Sequence, residues 1–212
     1  MTCPLDEGRV AFLGQLEAFE RVIRSLPPDG AERVTPFEEW PVRAVAAHVV
    51  GTMADIVAGR IENLAALETA AAQADARRDR SIAELADELA THRGTLATMF
   101  DAVTSEEWSA PAPGDFPGSL GDAVEALAFD VVVHTDDVCR GAGLPTPSAP
   151  GIEAALSHVR FELFRRPLDL EAVEAAAHES AGVGAGELEF VLGVAGRRAG
   201  GASLFGLDEP IR

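Results

Sequence analysis

Four stretches of this chain repeat apolar residues at alternating steps of three and four, and each stops at proline, glycine or a run of charge. That spacing is the period of a helix with one buried stripe; a half-buried strand alternates every second residue instead. The first stripe is Phe12, Leu16, Phe19, Ile23 and Leu26, which predicts a helix over 5–26 closed by Pro27 and Pro28. The second follows Trp40 with Pro41 in its first turn, runs through Val42, Val45, Val49, Met53 and Ile56, and extends toward Leu67.

After the polar run 75–80, Ser81 followed three residues later by Glu84 reads as a capping box. Ile82, Leu85, Leu89, His92, Leu96, Met99 and Val103 then form the third stripe. The Pro- and Gly-rich stretch 111–118 reads as a loop, and Leu120, Val124, Leu127, Val131, His134 and Val138 define a fourth helix over 120–140. Gly141, Gly143 and Pro145 end it.

These stripes predict an all-α fold: an antiparallel four-helix bundle over residues 1–145. Residues 146–212 read as a mainly helical extension packed on the bundle, with helix expected at 152–164 and 170–178. The apolar run 187–194 fits helix or strand equally.

Charge narrows the partners. Seventeen basic residues against 35 acidic ones leave a net charge of −18, a field that repels nucleic acid and anionic membrane surfaces. No stretch reaches the roughly 18–20 apolar residues of a membrane-spanning helix. Two cysteines, Cys3 and Cys139, are too few for a disulfide framework, and the first residues lack a secretory pattern, so a cytoplasmic protein is expected. Every one of the basic residues is Arg, a bias that matches a high-GC genome such as an actinobacterium's.

The chemistry concentrates on the fourth helix. Asp130 and His134 stand four apart, which puts their side chains on one face with Cβ atoms about 5–6 Å apart. A carboxylate and an imidazole so placed can share a divalent metal, although such pairs also arise by chance. His48 borders the second stripe and is the best third donor, its alternative being a hydrogen-bonded core histidine. His92 lies on the third stripe and reads as core packing ahead of any ligand role. His158 and His178 read as surface or interface residues, Cys139 as a small buried hydrophobe, and Cys3 as a stray thiol near the chain end. Arg197 and Arg198 are able to anchor a substrate carboxylate or to stand as a solvated pair. No P-loop, Rossmann or serine-nucleophile pattern is present.

Trp40-Pro41-Val42-Arg43, followed by His48-Val49-Val50-Gly51, resembles a signature of the mycothiol-dependent maleylpyruvate isomerase family, a branch of the DinB-like bundles. A second family signature, E-x-x-x-H-x-x-D, resembles the run from Asp130 through His134 to Asp137, and the Gly196-Arg197-Arg198 segment resembles the end of many relatives. The resemblance implies a DinB-like bundle in which His48, Asp130 and His134 hold zinc and Asp137 orients a ligand from behind. It also implies mycothiol as cosubstrate, in an isomerase or thiol S-transferase acting on a small electrophile as monomer or homodimer. Three departures stand out. Asp130 replaces the usual Glu, Asp136 replaces a common aromatic, and the tail is short for a separate α+β domain. The shorter reach of Asp130 predicts a weaker metal site. The competing reading is a non-catalytic bundle, with or without metal, that acts by dimerisation or small-molecule binding.

Overall fold

The computed structural model describes residues 4–165, 186–198 and 211. The described residues form helices α1 (Leu5–Arg24), α2 (Val42–Val57), α3 (Leu67–Asp75), α4 (Ile82–Asp101), α5 (Ser105–Ser109), α6 (Leu120–Ala142), α7 (Ile152–Phe164) and α8 (Glu187–Val194). One 3-10 turn, Gly30–Glu32, and two isolated bridges complete them, with no strand among the described residues. Helix α8 settles the ambiguous run 187–194. The helix expected at 170–178, with His178, and Cys3 lie outside the described residues.

Helices α1, α2, α4 and α6 make the bundle, α1 and α2 each packing against both α4 and α6. Phe12, Leu16, Phe19 and Ile23 of α1 meet Val45, Val49 and Met53 of α2, Leu85 and Leu89 of α4, and Val124 and Val131 of α6 in one apolar core. Reciprocal bonds between Ser81 and Glu84 start α4, and Ser119 and Asp122 start α6 in the same way. Gly143, at φ 72°, ends α6 in the left-handed conformation that suits glycine.

Several expectations are corrected. Pro41 is the residue before α2 rather than in its first turn. Helix α2 stops at Val57 instead of running to Leu67, because Gly59 (φ 74°) and Asn63 (φ 56°) turn the chain into the separate helix α3. The third stripe slips at its end. Met99 is 44% exposed, while Phe100 enters the core edge-on to Phe12 and Trp108. The bulkier ring takes the place because a step of four from Leu96 fits the 3.6-residue turn as well as a step of three.

Helix α6 is buried on more than its stripe. Phe129, Val132 and Val133 point away from the bundle into a second apolar cluster with Ala155, Leu156, Val159 and Leu163 of α7 and Val191, Leu192 and Val194 of α8. A helix apolar on both faces needs cover on both, and α7 and α8 supply it. His158, expected at the surface or an interface, is buried where α7 packs on α6, its ring 5.1 Å from Phe129 and 6.4 Å from Phe161. No helix of the described residues is long and apolar enough to cross a membrane.

Candidate metal centre

His134 sits on the inward face of α6, buried, with each ring nitrogen facing a carboxylate one turn away. Nδ1 donates to Asp137 Oδ2 at 3.0 Å, and Nε2 lies 3.3 Å from Asp130 Oδ1. Across the interface α2 presents His48, also buried, its ring perpendicular to that of His134 at 5.1 Å. One donor atom each from His48, Asp130 and His134 lies within 4.8 Å of the other two.

The donor set fits a small divalent cation. Bonds of roughly 2.0–2.1 Å in a tetrahedron put donors about 3.3 Å apart. The His134–Asp130 pair already has that spacing, and the His48 donor lies within 4.8 Å of both. Asp130 is 36% exposed at its side chain while both imidazoles are enclosed, so the centre opens to solvent along the carboxylate.

The charges are mutually arranged. Burial opposes ionisation of Asp130, yet His134 by charge and hydrogen bond, then His48 and Arg197, hold it down at about 2. Burial likewise opposes the charged form of His134, but Asp130 and then Asp137 lift it to about 9. Burial, only partly opposed by Asp130, pushes His48 below its ordinary 6.5, and the positive His134 adds to the push.

Behind the donors lies a polar layer that sequence reasoning caught only in part. Asp137 is fully buried and also accepts from Arg197 Nε at 2.9 and 3.1 Å. Its neighbour Asp136 pairs with Arg198 at 2.9 Å and accepts from Thr146 Oγ1 at 2.8 Å. Asp136 therefore ties α6 to the tail, and Arg197 and Arg198 are ion-pair partners of buried acids rather than a solvated pair. On α2, His48 Nδ1 donates to Gln73 Oε1 of α3 at 2.8 Å.

The site's aromatic wall was legible only at Trp40; Phe37 carried no signal. Phe37 sits edge-on to His134 at 4.7 Å and stacks at 6.3 Å on His48, with Trp40 edge-on to it at 5.1 Å and the Arg197 guanidinium over its ring at 5.2 Å. A tight turn delivers it: Trp40 N–H donates to the Phe37 carbonyl at 2.8 Å, and the intervening Glu38 and Glu39 both take positive φ, 48° and 57°. Two left-handed residues make the turn that suits hairpin twist. Glutamates there are unusual, so no turn signal was legible.

Other candidates sit apart in their bonding. His92 is half-buried with Nε2 3.4 Å from Glu88, which Arg77 holds at 2.7 Å. The Cys139 thiol is buried, and burial followed by the charge of Asp136 pushes it up to about 11, far from a reactive thiolate.

Residues 12–139 match the family described as the mycothiol maleylpyruvate isomerase N-terminal domain. No curated protein and no solved structure matches the chain.

Proposed function

Because this chain belongs to the mycothiol maleylpyruvate isomerase N-terminal domain family, we propose that it is a metal-dependent enzyme that uses a low-molecular-weight thiol, mycothiol by the family's name. The observation that carries this reading is the convergence of His48, Asp130 and His134 at a centre with one solvent-facing side. Two imidazoles and a carboxylate suit zinc. A cation held there supplies a Lewis acid that favours the ionised form of an incoming thiol.

The residues around the centre do the rest. Asp137 accepts the His134 Nδ1 proton, which leaves Nε2 as the donor atom. Phe37 and Trp40 wall one side and keep water from the reacting sulfur. Arg197 lies close enough to Asp130 to bias its ionisation, and is the cation a substrate carboxylate would meet at this mouth. The thiol sulfur adds to an electrophilic carbon. If it adds to a double bond, rotation and release of the same thiol isomerise the substrate. If it displaces a leaving group, that group departs with its electron pair, the thiol proton passes to solvent, and the product is a thioether.

The bundle 1–145 is proposed as the catalytic unit, with 146–212 as an extension contributing Arg197. The experiment is to load the purified chain with zinc and follow thiol depletion with a panel of small electrophiles. Near one zinc per chain and depletion that needs both protein and thiol are expected. Turnover unchanged without added thiol would refute the thiol reading. The 3.3 Å ion pair between His134 and Asp130 also supports a second reading, a metal-free bundle whose donors satisfy one another. Absence of zinc binding would favour it.

A further inference from the structure

Helices α2 and α3 approach so closely at Gly51 that a Cβ there would lie 2.5 Å from Gln73 Cβ and 2.9 Å from Gln73 Cγ. Nothing larger than glycine leaves room for this contact. It delivers the Gln73 amide to the back of His48, where Oε1 accepts from Nδ1 at 2.8 Å. The other end of the same amide, Nε2, donates to Asp55 Oδ2 at 2.7 Å. Thr52 Oγ1 stands 3.1 Å from Gln73 Oε1 and 3.2 Å from the His48 carbonyl. Asp55 is itself held by Arg60 at 2.6 Å.

Such a chain of bonds has one consistent direction. An ionised carboxylate only accepts, so the amide must turn its NH2 toward Asp55 and its oxygen toward His48. An amide oxygen only accepts as well, so the proton of neutral His48 must sit on Nδ1. Nε2 is then the nitrogen with the free lone pair, and it is the one not engaged by Gln73. The partner of His134 is a carboxylate, whereas that of His48 is a neutral amide whose orientation a carboxylate one step further back dictates.

We propose that Asp55 and Gln73 are positioning residues of the centre: they lock His48 in its Nδ1–H tautomer and so present Nε2 as a donor beside Asp130 and His134. This rests on the reading of His48 as a metal ligand, but the tautomer is a property of the metal-free chain. Gln73→Met keeps the length of the side chain and removes the acceptor. Asp55→Asn removes the constraint on the amide and lets it flip, which would offer an NH2 to His48 and favour the Nε2–H form.

The test is long-range 1H–15N NMR of the histidine rings in metal-free protein at pH 7.5, on the whole chain and both variants, with zinc affinity measured beside it by chelator competition. The expected result is a pure Nδ1–H His48 in the parent and mixed tautomers in both variants. Zinc affinity should fall about tenfold or more, as when the orienting partner of a metal-ligating histidine is lost. Should Gln73→Met disturb folding, Asp55→Asn, near the surface, carries the same prediction. An Nε2–H His48 in the parent, or an unchanged tautomer in a folded variant, would overturn the proposal. A parent that fails to bind zinc but shows the tautomer shift in the variants would uphold the relay and remove the metal reading alone.

Discussion

Asp137 and Arg197 form an ion pair at 2.9 Å across 60 residues of chain, the acid fully buried and the guanidinium mostly so. The acid belongs to the stretch of α6 that carries the candidate centre, and the base comes from beyond the residues matched by the family. The tail thus closes the back of the site and gives the buried Asp137 carboxylate a second partner beside His134.

Removing that compensation should be costly. Arg197→Met leaves the buried Asp137 with His134 alone as a positive partner, and breaking one side of a buried pair costs about 3 kcal/mol. At about 2–4 °C per kcal/mol for a chain of this size, the thermal midpoint should drop by about 6–12 °C. Adding Asp137→Asn should recover part of the loss, because the stranded charge is then gone. Additive losses in the double variant would show that the pair is not coupled.

Proton release on metal binding follows from the raised His134. Its imidazole holds a proton on Nε2 up to about pH 9, and coordination requires that lone pair. Zinc affinity should therefore rise about tenfold per pH unit from 7 to 9 and level off above. Calorimetry in buffers of different ionisation enthalpy should report about one proton released per zinc near pH 7. Asp130, held at about 2, adds no proton over this range. In the metal-free chain the signs are opposite. Stability from the raised His134 is full below its ordinary 6.5 and is lost as pH rises through about 9, while stability from the depressed Asp130 is full above 3.8 and is lost as pH falls through about 2. A pH-independent zinc affinity would contradict the assignment of His134.

Glycines at two helix positions should respond in opposite directions. Alanine is favoured over glycine in a helix by about 1 kcal/mol, and Gly94 on α4 has nothing within 4 Å of a new Cβ. Gly94→Ala should therefore stabilise by up to that amount. Gly51→Ala gains the same propensity but drives a Cβ to 2.5 Å from Gln73 Cβ, which forces α3 off α2. Overpacking of that kind costs about 1–3 kcal/mol, so the net effect should be a lower melting temperature. Stabilisation by both variants would show that α3 yields freely.

The contrast between these glycines also explains what was legible in the sequence. The stripes of α1 and α4 could be read because each faces the bundle core, that of α6 because one of its two apolar faces meets the same core, and the i, i+4 pair Asp130 and His134 could be read because both residues share one helix. The break between α2 and α3 could not, since Ala-rich helix-forming sequence lies on both sides and only the backbone at Gly59 and Asn63 reveals the turn. Gln73 then went unnoticed, because its meeting with His48 depends on that break and on the close approach at Gly51. The second face of α6 had a signal, the apolar Val132 and Val133 beside the stripe, and it marked the docking surface for α7 and α8. Asp136 and Arg198 stand within the two segments that carry the resemblance, but their pairing is a tertiary fact that no local spacing encodes.

The final prediction concerns the reach of Asp130. Aspartate is one methylene shorter than glutamate, a difference of roughly 1.5 Å, the length of a carbon–carbon bond. The His134–Asp130 edge is already 3.3 Å, while the set as a whole is bounded only at 4.8 Å, so the longer reach is needed toward His48. Metal–ligand distances tolerate only about 0.2 Å of error, so either α2 and α6 close together or the metal is held weakly. Ala46, Ala47 and Ala128, all buried small residues, leave the helices free to approach, but that movement must be driven by the metal itself. In Asp130→Glu the longer side chain carries the carboxylate toward His48 without moving a helix, and zinc affinity should rise about tenfold, equivalent to about 1.4 kcal/mol. The measurement is chelator competition on parent and variant at one pH. A tenfold loss instead would mean that the backbone is already fitted to aspartate, and the site would then be a tight one built on the shorter acid.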